Sequence, residues 1–248
     1  MLLLACLTTG ALWAANDPFV GESKLNPSRS KPTDQMKVES IAGNQYVLDF
    51  GGGSPETIAA DGTYQQGDGG TTLSVTVEGP GAWKVVRKKD GRVLLTANRK
   101  LSKDGNTLTD DFTTIGPNGS SSNVNYVYKR TAGTSGFSGT WESTSETVNS
   151  VFVLKVQPYE GDGLSFIDPS QEETKNVKFD GKDYPNVASG SASSLRRVNA
   201  HTLEMTDKFS GKITGTERFK LSSDRKTLTI TVQTPGRRDP NILVFERQ

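Results

Sequence analysis

The chain contains one pattern twice. Phe19-Val20-Gly21 returns as Phe137-Ser138-Gly139, and Asp61-Gly62 with Tyr64 returns as Asp180-Gly181 with Tyr184. Leu101-Ser102-Lys103-Asp104 with Thr107-Leu108-Thr109 returns as Leu221-Ser222-Ser223-Asp224 with Thr227-Leu228-Thr229. Tyr126-Val127-Tyr128-Lys129-Arg130 returns as Leu243-Val244-Phe245-Glu246-Arg247. The matches keep their order and a nearly constant offset, which chance similarities would not do. The fold must therefore be one that about half of the 248 residues can build, a length sufficient for a core of its own. The expected division is a first unit over 16–130, a small, polar, flexible linker over 131–136 and a second unit over 137–248.

Inside each copy the period is two. Leu228, Ile230 and Val232 alternate with Thr227, Thr229 and Thr231; Leu73, Val75 and Val77 alternate with Thr72, Ser74 and Thr76; Leu203 and Met205 alternate with Thr202, Glu204 and Thr206. Such alternation puts one face of a strand into a core and the other into water. Asp-Gly pairs at 61, 68, 90, 104, 162 and 180, and Asn-Gly at 118, supply the turns that connect hairpins. No helix of ten or more residues is expected. Each copy reads as seven to nine antiparallel strands in meander order. An open sheet of that kind exposes two edges, and closing it into a barrel removes them. The expected fold is all-β, two tandem antiparallel meander β-barrels.

Composition narrows the function. With 29 Lys+Arg against 28 Asp+Glu the formal charge is +1, which provides no field for nucleic acid or anionic membranes. Residues 1–15, MLLLACLTTGALWAA, are apolar, uncharged and end in small residues before Asn16-Asp17-Pro18. They read as a signal peptide, too short for a membrane span. The expected location is periplasmic or extracellular. The alternative is that Leu3-Leu4-Ala5-Cys6 acts as a lipoprotein box, with Cys6 carrying a lipid anchor. Cys6 is the only cysteine and His201 the only histidine, so neither thiol catalysis nor a multi-histidine metal site is expected. Arg196-Arg197 reads as two solvated strand residues, and His201 as an exposed hairpin residue.

Gly139-Thr140-Trp141 together with Arg247 on the last strand resembles the lipocalin-type pattern, in which an early G-x-W strand packs its Trp against an Arg from the end of the barrel. In the first copy Gly21 and Arg130 remain, but Ser23 stands at the Trp position. Asp17-Pro18-Phe19-Val20-Gly21, Lys24-Leu25-Asn26-Pro27 and Phe179-Asp180-Gly181-Lys182-Asp183-Tyr184-Pro185 are similar to exported bacterial proteins of unknown function. These resemblances imply a compartment and a fold, not a chemistry.

Catalytic signatures are lacking. There is no G-x-S-x-G, phosphate-binding loop or dinucleotide fingerprint. Asp104 and Asp224 sit in matched turns, where Asp serves as a local acceptor. Over 212–221 the inward set is expected to be Ile213, Gly215, Glu217, Phe219 and Leu221; the matching first-copy set is Val93, Leu95, Ala97, Arg99 and Leu101. Each copy thus places one charge, Glu217 or Arg99, on an apolar face. An isolated buried charge requires a partner, water or a ligand. Trp83 and Met205 are expected on the same interior, so Trp83, Arg99, Met205, Glu217 and Phe219 are the candidate ligand-binding residues. The expected function is non-enzymatic, cofactor-free binding of a small apolar or amphipathic molecule inside a barrel. The alternative is a structural or protein-interaction module of the bacterial cell envelope, with filled interiors.

Overall fold

The structure, a computed structural model, describes residues 16–50, 55–170, 173–186 and 190–248; the expected signal peptide and Cys6 lie outside them. The described chain is all-β and forms two nearly closed ten-stranded antiparallel barrels. Among the described residues no helix is long and apolar enough to cross a membrane.

A first strand, β1 (Gly21–Leu25), is followed by β2 (Gln35–Ser40), β3 (Gln45–Asp49), β4 (Glu56–Ala59), β5 (Gln65–Gln66), β6 (Thr72–Gly79), β7 (Ala82–Lys89), β8 (Arg92–Leu101), β9 (Thr107–Ile115), β10 (Ser121–Ser135) and β11 (Ser138–Val148). The second half continues with β12 (Val153–Tyr159), β13 (Gly163–Asp168), β14 (Glu173–Lys178), β15 (Tyr184–Pro185), β16 (Ser191–Asn199), β17 (Thr202–Phe209), β18 (Lys212–Leu221), β19 (Thr227–Gln233) and β20 (Asn241–Arg247). Ten strands per barrel exceed the expected seven to nine because β5 and β15, two residues each, are too short to show a period.

The sheets do not follow the expected unit boundaries. The first runs β4-β3-β2-β11-β10-β9-β8-β7-β6-β5, and the second β14-β13-β12-β1-β20-β19-β18-β17-β16-β15. Each copy thus gives its opening strand to the other copy's barrel. Strand β1 lies between β12 and β20, with Ser23 opposite Leu154 and Arg247; β11 lies between β2 and β10, with Trp141 opposite Met36 and Arg130. The registers are equivalent, so the exchange is reciprocal. The expected linker is part of it: residues 131–135 extend β10, and the chain turns straight back into β11. The expected boundaries 16–130 and 137–248 therefore describe the repeat in sequence but not the barrels.

The exchange crosses the Trp–Arg pairing as well. The Arg130 guanidinium, not that of Arg247, lies over the Trp141 ring at 4.2 Å. Arg130 donates to the carbonyls of Gly136 and Ser138, while Arg247 donates to those of Pro18 and Val20. Both glycines sit against these arginines: a Cβ on Gly21 would lie 2.7 Å from the Arg247 guanidinium, and one on Gly139 2.8 Å from that of Arg130 and 2.4 Å from the Ala132 carbonyl oxygen. Arg197, rather than standing solvated, pairs with Asp17 and packs on the Phe179 ring at 4.3 Å, which helps fasten the β1 segment to the second barrel.

The alternating residues build the two cores. Leu228 and Ile230 are buried in one and Leu73 and Val75 in the other. Two expected inward residues are exposed, Val77 and Ile213. A register shift at the β6–β7 hairpin end accompanies the first. At the second, Asp207 faces Gly215 but Lys208 faces Ile213, so one extra residue reverses the alternation. The hairpins β8–β9 and β18–β19 are duplicates: Asp104 and Asp224 each accept from a serine hydroxyl and from the backbone N–H two residues on, as expected of local acceptors.

Each barrel has one seam where strands do not join by a ladder, between β4 and β5 and between β14 and β15. Ion pairs reach across the interior there. Arg87 on β7 grips Glu56 on β4 with two hydrogen bonds, one of 2.9 Å; Lys175 on β14 contacts Asp207 on β17 at 2.9 Å. Glu56 faces Leu48 as Lys175 faces Phe166, and Arg87 faces Leu95 as Asp207 faces Gly215. The two pairs occupy equivalent positions with the charges reversed.

Candidate functional site

Each barrel encloses a cavity on the seam side. The first, of about 270 Å3, has Leu48, Leu73, Val85, Leu95 and Phe112 as its apolar wall and Asp34, Arg87, Arg99 and Asp110 as its charged lining. The second, of about 230 Å3, is walled by Phe152, Phe166, Phe219 and Phe245, with Lys175, Met205 and Glu217 beside them.

In the first cavity Arg99 on β8 faces Asp110 on β9 across the ladder. The Arg99 Nε–H donates to Asp110 Oδ2 at 2.9 Å, and the side chains are 4% and 3% exposed. Burial at this level makes each polar atom's partner matter. Among the described residues, Arg99 Nη1 and Asp110 Oδ1 nevertheless have no hydrogen-bond partner. The Phe50 ring lies 5.4 Å from the guanidinium. The other charges are matched: Arg87 by Glu56, and Asp34 by Arg237 at 2.7 Å. Arg237 comes from the β19–β20 connection of the other barrel and also donates to the Phe50 carbonyl. Asp34 accepts from the Tyr128 hydroxyl at 2.6 Å; burial first, and Asp34 second, push that phenol above its ordinary range. Close by, Ser143 donates to Glu146 at 2.8 Å, and burial pushes the Glu146 carboxyl up to about 7.

In the second cavity Lys175 contacts Asp207 at 2.9 Å and Glu217 at 3.1 Å. Burial opposes the Lys175 charge, but the carboxylates outweigh it and hold the ammonium above its ordinary range. Burial pushes Glu217 up to about 7 against the pull of Lys175. Asp207 stays below its ordinary range: burial opposes its charge, and hydrogen bonds from Glu217, Lys175 and Ser193 prevail.

The five candidate residues fall in two places. Met205, Glu217 and Phe219 meet around the second cavity, and Arg99 lines the first. Trp83 is in the first barrel but away from the cavity. It is 3% exposed, stacked on Phe137 with ring centres 3.9 Å apart and met edge-on by Tyr46. The Phe137 ring that covers it arrives with the exchanged strand. His201 lies in the β16–β17 hairpin, half-buried rather than exposed. Among the described residues no group of His, Cys, Asp and Glu side chains is placed to hold a metal.

Sequence reasoning missed Asp110, although a signal existed. Leu108, Asp110 and Phe112 share the parity of Leu228, Ile230 and Val232, which puts an acid on an inward face. The cross-strand equivalent of Arg99 and Asp110 in the second barrel is Phe219 opposite Ile230. Asp34, which lines the cavity, and Arg237, which pairs with it, carried no such signal, because both lie in connections. Comparison with known families found no family model that matches the chain, and comparison with curated proteins found no match either.

Proposed function

We propose that this is an exported, non-enzymatic protein that holds a small, partly apolar molecule in the cavity of its first barrel. The observation that carries the reading is the buried Arg99–Asp110 pair, whose Nη1 and Oδ1 atoms have no partner among the described residues, in a chamber whose other charged lining residues, Asp34 and Arg87, are paired. Binding sites of this kind combine an apolar wall with a few oriented polar groups. At about 270 Å3 the chamber is at the small end of the ~300–1,000 Å3 usual for ligand pockets, so the occupant is compact. The lipocalin-type resemblance read from Gly139-Thr140-Trp141 suggests the same use, although Trp141 packs against Arg130 and not Arg247. Export rests on the apolar stretch over 1–15. The interaction-module alternative calls for filled interiors, and two cavities weigh against it.

Native mass spectrometry of the protein purified from its own host tests this. A retained non-covalent mass is expected, abolished by Leu95→Trp, which fills the chamber, and kept by Val151→Trp on the surface. Protein that carries no small molecule in either the native spectrum or a denatured extract refutes the proposal.

A further inference from the structure

Building on the reading of the first cavity as a binding site, we infer that its ligand presents a neutral head group with a hydrogen-bond acceptor and an N–H donor side by side, of the carboxamide or lactam class. The charges decide neutrality. Arg99 is matched by Asp110, Arg87 by Glu56 and Asp34 by Arg237. An ionised head entering this balanced chamber would give up its hydration and find no uncompensated counter-charge, a costly exchange.

The unused atoms decide the head's polarity. Arg99 Nη1–H offers a donor, which calls for an acceptor on the ligand. Asp110 Oδ1 offers an acceptor, which calls for a donor. The two side chains are joined by the 2.9 Å bond from Nε to Oδ2 and line the same cavity, so both free atoms belong to one small cluster. A carboxamide meets both: its oxygen takes the Arg99 proton and its N–H is donated to Asp110. A carboxylate satisfies Arg99 but sets its second oxygen against Asp110. An ammonium satisfies Asp110 but confronts Arg99. The apolar wall of Leu48, Leu73, Val85 and Phe112 takes the remainder of the molecule. Sites that hydrogen-bond a buried group reject analogues lacking it far more strongly than they discriminate by size.

Calorimetric titration at pH 7.5 with hexanamide, hexanoate, hexylamine and N,N-dimethylhexanamide tests the inference on the unaltered protein. Hexanamide is expected to bind at least about tenfold more tightly than hexanoate or hexylamine, a difference of ~1.4 kcal/mol. The dimethyl amide keeps the acceptor but has no N–H, and is expected to lose a similar factor. Asp110→Asn puts an NH2 group where the acceptor stood and leaves the Arg99 charge unmatched, so it should reverse the order of hexanoate and hexanamide. Equal binding of hexanoate and hexanamide, or of the dimethyl amide and hexanamide, overturns the head-group assignment while leaving the cavity a binding site. If none of the four binds, the assignment falls as well, and the native mass spectrum decides separately whether the cavity holds anything.

Discussion

Replacing Arg99 and Asp110 together should leave the fold intact and remove its recognition chemistry. The second barrel already contains the experiment. At the equivalent cross-strand positions it has Phe219 and Ile230, 2% and 5% exposed. Asp110→Ile alone strands the Arg99 guanidinium at 4% exposure, and breaking a buried pair in this way costs about 3–5 kcal/mol. Arg99→Phe alone strands the Asp110 carboxylate at a similar cost. Against a domain stability of about 5–15 kcal/mol, either loss is severe. The double variant removes both charges and fills the chamber, and apolar replacement of a buried ion pair ranges from neutral to about 4 kcal/mol stabilising. The cycle should therefore show a coupling energy well above the ~0.5 kcal/mol within which independent sites add. Urea unfolding followed by tryptophan fluorescence measures all four proteins, and native mass spectrometry follows the adduct. A double variant whose destabilisation equals the sum of the singles would refute the claim that the pair's cost is electrostatic. A double variant that still carries the adduct would refute its role in binding.

Two further outcomes follow from the architecture and the titrating groups. A specific protease site placed at Gly136, in the exposed β10–β11 turn, should yield two pieces that co-elute under native conditions and part only in denaturant, because each barrel contains strands of both; separate native species would contradict the exchange. Glu146, raised to about 7 in the fold from an ordinary 4.5, prefers its proton when folded, so its stabilising contribution is complete below pH 4.5 and is lost as pH climbs through 7. The loss should be about 1–2 kcal/mol after allowance for partial exposure, Glu146→Gln should flatten that part of a stability–pH curve, and an unchanged slope would show that the group is not buried as described.

Strand identity was legible because its physics is local. Leu228-Thr229-Ile230 declares two faces wherever it lies, and Asp90-Gly91 turns the chain because both residues accept positive φ, here 50° and 80°. The bulge at Lys208–Ile213 was not legible, since one inserted residue changes no composition. Strand exchange was hidden for a different reason. The opening strands of the two copies share register, glycine and arginine contact, and differ at the buried position held by Ser23 in one and Trp141 in the other. What separates the outcomes is chain connection: Gly133 and Gly136 serve a hairpin that joins β10 to β11 locally, where loop closure is cheapest, and glycines in a polar stretch read equally well as a linker. Within the site, Arg99 and Glu217 were visible as charges among apolar neighbours. Their partners were not, since Asp110 required pairing β8 with β9 in register, and Lys175 required knowing which strands face one another across an interior.

The reversed polarity of the two seam pairs solves a problem peculiar to a chain made of near-copies. Homologous strands compete for the same berth while the polypeptide folds. Should β4 settle into the wrong half, Glu56 would meet Asp207; should β14 do so, Lys175 would meet Arg87. Like charges about 4 Å apart repel by roughly 4 kcal/mol at a protein-like dielectric, whereas the proper partners attract. Two salt bridges of opposite sense thus act as a sorting key: the opening strands trade places between the halves, and the seam strands stay at home.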